Sequence, residues 1–124
     1  HHQGLVGLSA CMGGSLAQEV LVQGEDAGRK MLDRLRSTFA EGHFFIELQD
    51  QGFAEQKALN AALVDLAGEF GLPFVATNDC HYLAADDAQA QMVLQCIATA
   101  QNVDEMRASH HGSSELYLKS AEEM

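Results

Sequence analysis

Hydrophobic positions along the chain follow strand-like and helix-like spacings in turn. A mainly apolar run from Leu5 to Cys11 stops before the Gly13-Gly14 pair, which predicts a strand ending at Cys11 and a turn after it. Helical spacing comes next and predicts two helices. Their apolar stripes are Leu16, Val20 and Leu21 on the first helix, and Ala27, Met31, Leu35 and Phe39 on the second.

A second strand and a long helix follow. Phe44, Ile46 and Leu48 alternate with Phe45, Glu47 and Gln49. This alternation predicts a strand that ends in polar residues at Asp50. Apolar residues then recur at threes and fours until Gly71 stops the helix. They are Leu59, Ala62, Leu63, Leu66, Ala67 and Phe70. Burying each of the larger ones contributes about 1.5–3 kcal/mol, so we expect this helix to pack against the sheet.

The third predicted strand ends on an Asp-x-His pair. Phe74, Val75 and Ala76 have no polar alternation, which is typical of a parallel strand covered on both faces. Asp79 and His81 follow it, where the carboxyl edge of a parallel sheet carries functional loops. Side chains two positions apart on extended chain point the same way, so this pair can bind a divalent cation such as zinc or manganese. A helix cap or a metal-free hydrogen-bonded pair is the alternative.

The remainder of the chain predicts one more helix and a polar loop. A helix begins at Asp86-Asp87, with Met92 and Cys96 spaced as core residues. Residues 100–115 are polar and predict a loop, in which His110 and His111 are expected to be solvated. A short extended segment follows at residues 115–118, and residues 120–123 resemble a capped helix start.

Three successive strand–helix units indicate an α/β protein with parallel strands and outer helices. Right-handed crossovers would gather the ends at Cys11, Asp50, Asp79 and His81 along one rim, and a thiolate, carboxylates and an imidazole there could hold several metal ions. Three strands cannot close a barrel. We therefore expect a partial β/α barrel, excised from a larger protein, and a homodimer is one way to cover its open edge.

Composition narrows the classes of function. The chain has 124 residues, 47% of them hydrophobic, and a net charge of −11, which fits one domain with a poor surface for nucleic acid. No apolar run approaches the roughly 20 residues of a membrane span and no signal peptide is visible, so a cytoplasmic protein is expected. Three cysteines at irregular spacing favour reduced thiols. Residues 1–3 are expected to be partly a purification-tag remnant, so His1 and His2 are assigned to no site.

Five ordered blocks resemble consecutive parts of one family, the bacterial DNA polymerase III alpha subunits. The blocks are Gly4–Cys11, Phe45–Asp50, Leu72–Leu83, Leu94–Ile97 and Leu116–Ser120. Their order and spacing are similar to the later part of the family's amino-terminal PHP (polymerase and histidinol phosphatase) domain. The resemblance assigns residues 1–124 to the C-terminal portion of that domain, and residues 116–124 to the start of the connection toward the polymerase modules.

The resemblance implies a distorted, TIM-like, seven-stranded β/α barrel with a zinc, manganese or iron cluster at the carboxyl ends of its strands. Asp79 and His81 match the family's closing Asp-x-His ligands, and Cys11 matches a position that holds Cys or His. The other ligands would lie before residue 1. No catalytic residue for polymerisation falls in the chain, and the polymerase magnesium site lies outside it. Gln51 departs from the family, since many members carry His there.

The leading hypothesis is that the chain is a segment of a DNA polymerase, a nucleotidyltransferase that acts in replication. The parent protein, and not this segment, would contact DNA, deoxynucleoside triphosphates and other replicase subunits. The PHP site implies a phosphoesterase or 3′–5′ exonuclease role, and the segment alone is expected to be inactive. A free-standing PHP phosphoesterase is one alternative. A metal-free structural or docking module is the other.

Overall fold

The computed structural model describes residues 3–107 and 113–124, which form two compact units. The first unit contains the residues up to Gln49 together with Ala54–Thr77, and the second contains Asp50–Phe53 and Asn78–Met124. The elements of the first unit are β1 (Gly7–Leu8), α1 (Ser15–Gln23), α2 (Glu25–Arg36), β2 (Phe44–Leu48), α3 (Ala54–Phe70) and β3 (Phe74–Ala76). Those of the second are a 3-10 turn (Ala85–Asp87), α4 (Ala88–Thr99) and α5 (Val103–Arg107).

The strands of the first unit form one parallel sheet in the order β1-β2-β3. Gly7 lies opposite Phe44 on the first pair of strands, and Ile46 lies opposite Phe74 on the second. The prediction of neighbouring parallel strands joined through helices is confirmed. The protein is therefore mixed α/β, whereas its place in a barrel stays a prediction.

The hydrophobic core lies between the sheet and helices α1, α2 and α3. Its buried members are Leu16, Ala17, Val20, Leu32, Phe44, Ile46, Leu59, Leu63, Leu66 and Ala67. The long helix was predicted closely: α3 contacts β2, and Gly71 follows it at φ +64°, a left-handed conformation that ends a helix at little cost only for glycine.

The core face of α2 differs from the prediction. Leu32 is 0% exposed, whereas Met31 and Leu35 are only partly buried. Phe39 lies beyond the helix, which ends at Arg36, and stacks on Phe44 with ring centroids 5.5 Å apart. A stripe at intervals of exactly four drifts around a helix of 3.6 residues per turn, so the true contact line passed through Leu32.

Two predictions about strands were wrong. β1 ends at Leu8, so Cys11 lies in a bend, where its carbonyl accepts a hydrogen bond from Gly14 N at 2.8 Å. β3 ends at Ala76, and Phe74 is 46% exposed, so this strand is not covered on both faces. In the order β1-β2-β3 it is an edge strand. An apolar run shows that a strand can be buried on both faces, but not that other elements cover both faces.

The second unit is built around one bridge of the parallel type, between Tyr82 and Tyr117. Cys96 of α4 is buried as predicted, and its thiol is free, as are those of Cys11 and Cys80. Helix α5 lies inside the 100–115 stretch that was predicted to be a loop. His110 and His111, like His1 and His2, fall outside the described residues. Residues 121–123 form a turn and no helix.

Among the helices of the described residues, none combines the length and the apolar character that crossing a lipid bilayer requires.

Candidate metal site

Asp79 and His81 lie in the loop that follows β3, here called the 78–83 loop. The loop belongs to the second unit, where its backbone pairs with residues 113–119, here called the 113–119 segment. His81 N donates to Leu116 O at 2.7 Å, and Leu118 N donates to Tyr82 O at 3.1 Å. Backbone hydrogen bonds at His81 and Tyr82 therefore hold the loop to the 113–119 segment.

The structure brings the two predicted ligands together. His81 Nε2 lies 3.4 Å from Asp79 Oδ1, and the side chains are 36% and 41% exposed. This distance is longer than the 2.7–3.2 Å of an ordinary hydrogen bond. The carboxylate oxygen and the ring nitrogen face each other, as the Asp-x-His spacing predicted, and solvent can reach both.

Asn78 anchors the start of the loop through three hydrogen bonds. Its Nδ2 donates to Glu115 O at 2.8 Å and to Tyr117 O at 2.7 Å. Its Oδ1 accepts a hydrogen bond from Gln51 Nε2 at 2.8 Å. Sequence reasoning missed this residue. The only signal was its place next to Asp79, because its partners lie far away along the chain.

Further contacts link the same segments. Ser113 Oγ donates to Gln51 O at 2.8 Å, and Tyr82 Oη donates to Ser113 O at 3.3 Å. The exposed Cys80 directs its Sγ toward Asn78 O at 3.4 Å. Each of these bonds lies within the second unit, so the 78–83 loop, residues 50–53 and the 113–119 segment form one connected structure.

Charged groups brace the 113–119 segment itself. Lys119 Nζ lies 2.9 Å from Glu115 Oε2, and this hydrogen bond raises the pKa of Lys119. Tyr117 Oη donates to Glu123 Oε1 at 3.0 Å, which raises the pKa of Tyr117. The backbone N–H of Ser120 and this phenol together lower the pKa of Glu123. At neutral pH the segment therefore keeps its charged and hydrogen-bonded form.

The first unit has a separate polar cluster at the carboxyl end of β2. Thr77 Oγ1 donates a short hydrogen bond to Glu47 Oε1, and Gln49 Nε2 donates to the same oxygen at 3.1 Å. The buried Oε1 of Gln49 has no hydrogen-bond partner among the described residues. Gln49 and Cys11 line a cavity of about 10 Å³ there, close to the space that one water molecule needs.

Cys11 and Asp50, the other predicted members of the rim, fall in different units. Cys11 belongs to the first unit, whereas Asp50, Asp79 and His81 belong to the second. Asp50 Oδ1 accepts a hydrogen bond from Gly52 N at 3.0 Å, which is the role of a turn residue. The common rim for these residues stays a prediction. Within residues 3–107 and 113–124, no group of three or more His, Cys, Asp or Glu side chains is placed to hold a metal ion.

The fold and this pair define a parallel α/β segment that carries a carboxylate–imidazole pair on a loop after a sheet strand. The whole chain is similar to part of proteins named DNA polymerase III subunit alpha. It is 36% identical over 124 residues to that of Treponema pallidum, 39% over 124 residues to that of Thermus aquaticus, and 40% over 125 residues to that of Deinococcus radiodurans. Each similarity covers all of this chain but only 11%, 10% and 9% of the length of the respective relative. The chain therefore spans about a tenth of their length. No family model matches the chain.

Proposed function

We propose that the chain is a segment of a bacterial DNA polymerase III alpha subunit, and that Asp79 and His81 contribute to a divalent-metal site in the PHP domain of that subunit. Similarity along all 124 residues supports the polymerase assignment. The single observation that carries the metal site is the 3.4 Å separation of His81 Nε2 and Asp79 Oδ1.

That separation suits shared coordination. Two ligands of a tetrahedral ion at 2.0–2.2 Å from it lie roughly 3.3–3.6 Å apart. A carboxylate oxygen and an imidazole nitrogen are donors that zinc, manganese and iron accept, and the exposure of both side chains leaves a path for the ion. Two donors do not complete a site. The remaining ligands would come from other parts of the parent protein, and Cys11 stays a candidate on the family resemblance alone.

The residues of this chain would have distinct roles at such a site. Asp79 supplies negative charge that offsets the cation, and His81 supplies a neutral nitrogen donor. The backbone bonds of the 78–83 loop keep both donors on one side. A bound metal would lower the pKa of a coordinated water and stabilise charge on phosphoryl oxygens, which is the chemistry of a phosphoesterase or a 3′–5′ exonuclease.

The parent protein would elongate DNA from deoxynucleoside triphosphates with other replicase subunits, in the cytoplasm. Its polymerase carboxylates and their magnesium lie outside this chain, and the segment alone would be inactive. A net charge of −11 supports DNA contacts made elsewhere in the parent. The three-stranded parallel sheet would be part of a larger β/α barrel, with a homodimer of the isolated segment as one way to cover its edge.

One alternative is a metal-free module that stabilises the parent or docks another subunit. The described residues, which hold no cluster of three ligands, are compatible with both functions. A free-standing PHP phosphoesterase has less support, because the three relatives compared with this chain are named as polymerase subunits.

Replacing His81 by Ala tests the metal site in the complete parent protein. Loss of one ligand should weaken metal binding at least tenfold, since even indirect partners of a metal cost about that much when removed. Polymerisation should persist, because its carboxylates lie elsewhere. Metal content after dialysis, measured by plasma mass spectrometry, gives the readout.

His43→Ala is the matched control. His43 is an exposed residue of the first unit whose Nδ1 lies 2.9 Å from Glu41 O, so its loss should leave metal content unchanged. Equal metal in the His81 variant and the unmodified protein would remove His81 from the ligands. A parent protein that binds no stoichiometric metal would favour the structural module.

A further inference from the structure

We infer that Asn78 is a positioning residue whose side-chain amide fixes the 78–83 loop in the conformation that presents Asp79 and His81 together. The inference rests on the proposed metal site for its functional meaning. Its structural content concerns only the second unit. Asn78 itself is not placed among the metal ligands.

Both donor hydrogens and the acceptor oxygen of the Asn78 amide form hydrogen bonds, and they can do so in only one orientation of the amide. Both hydrogens of Nδ2 go to backbone carbonyls, those of Glu115 and Tyr117, at 2.8 and 2.7 Å. Oδ1 accepts from Gln51 Nε2 at 2.8 Å, which fixes the orientation of the amide. The amide thereby joins its own loop to two stretches of chain that lie 27 to 39 residues away from Asn78 in sequence.

These bonds interleave with those of the loop backbone. Leu116 O, between the two carbonyls that Asn78 binds, accepts from His81 N at 2.7 Å and from Tyr82 N at 3.3 Å. Three successive carbonyls of the 113–119 segment therefore face donors from the loop. Because Asn78 directly precedes Asp79, releasing its amide would free the loop at the residue next to the first ligand.

No other side chain supplies this combination at the same length. Two N–H donors and one acceptor on a short stem are found only in asparagine. An aspartate of nearly the same shape would turn a charged oxygen toward two carbonyl oxygens and lose both bonds. Gln51→Glu would likewise remove the donor that faces Asn78 Oδ1.

The test uses the 124-residue chain and the parent protein, each with Asn78→Ala and Asn78→Asp. In the metal-free chain, amide hydrogen exchange at His81 and Leu118 should speed up roughly tenfold or more, because their bonds depend on the loop staying in place. Exchange at Gly7 and Ile46, whose amides bond within the first unit, should not change. In the parent, metal affinity should fall about 10- to 100-fold.

Asn60→Ala is the matched control. Its Nδ2 donates to Gln49 O at 2.9 Å in the first unit, so the substitution removes an amide–carbonyl bond of that unit and should leave His81 and Leu118 protected. Unchanged exchange at His81 and Leu118 in both Asn78 variants would overturn the inference, whether or not the parent binds metal. Faster exchange in a parent that binds no metal would uphold the positioning role and reject the proposed metal site.

Discussion

Arg29 connects two helices of the first unit through a bidentate ion pair. Its Nε and Nη2 donate to the two carboxylate oxygens of Glu69 at 2.8 Å, and its Nη1 donates to Asp26 at 2.9 Å. The hydrogen bond from Arg29 lowers the pKa of Glu69. The pair therefore stabilises the protein while Glu69 is ionised, that is, above the ordinary pKa of a glutamate.

Glu69→Gln should lower the unfolding temperature at pH 7 and have little effect in acid. Because the pKa of Glu69 is lower in the folded protein, its contribution is present above about pH 4.5 and is lost as the pH falls through the folded value. Thermal unfolding between pH 7 and about pH 2.5 measures this difference.

The control for that experiment is Glu41→Gln, which changes an exposed carboxylate in the loop before β2 and should shift the unfolding temperature equally little at all these pH values. If the difference in unfolding temperature between Glu69→Gln and the unmodified protein stayed constant down to the lowest pH, the assigned ion pair would be contradicted.

At the level of residues, the sequence predicted that Asp79 and His81 lie together, but not which contacts hold them there. Asp79 and His81 stand two positions apart, and this local spacing was sufficient to place them together. Asn78 and its partner Tyr117 are 39 residues apart, and no periodicity links them. Hydrogen bonds of this kind depend on how loops return to one another, which hydrophobic spacing does not encode.

The helix that ends at a glycine was predicted well, whereas the core face of α2 and the short elements were not. Helix α3 has a recurring apolar stripe and a glycine stop, so its apolar face and its end were predicted, whereas its start at Ala54 was not. Helix α5 has five residues and only one buried side chain, Met106, in a polar stretch. β1 has two residues, Gly7 and Leu8, although the apolar run around it is longer. Tertiary contacts set the ends of such elements.

Gly71→Ala should destabilise the first unit, by roughly 1–2 kcal/mol, because alanine at φ +64° brings its Cβ close to the carbonyl oxygen. Gly68→Ala is the matched variant. Gly68 lies within α3, and a methyl group added at its Cα would meet open space, so alanine there should add about 0.8–1.0 kcal/mol of stability. Urea unfolding of both variants measures the two changes in the free energy of unfolding. Equal changes would contradict the role of Gly71 in ending the helix.

For the molecule as a whole, charge sets the expected behaviour toward DNA. The chain has 18 acidic and 7 basic residues. Several of the basic ones lie on α2, where Arg29 and Arg36 are already paired with acidic side chains. We expect no measurable binding of the isolated chain to duplex DNA at about 50 mM salt, since phosphate contacts by lysine and arginine supply most non-specific affinity.

Fluorescence anisotropy with a labelled duplex checks this expectation, with the complete parent protein as the positive control. Binding that weakens steeply as salt is raised would show that the segment itself contacts phosphates. Lys30→Glu combined with Arg34→Glu would then test whether the exposed face of α2 makes those contacts.

The second unit has a consequence for biosynthesis. Asn78 bonds to carbonyls 37 and 39 residues further along the chain. A ribosome that has just released the Asp-x-His loop has not yet made the residues that order it. Asp79 and His81 would therefore emerge unsupported and become fixed only later in translation, and a metal bound by this pair, as proposed above, would load only after synthesis of the 113–119 segment.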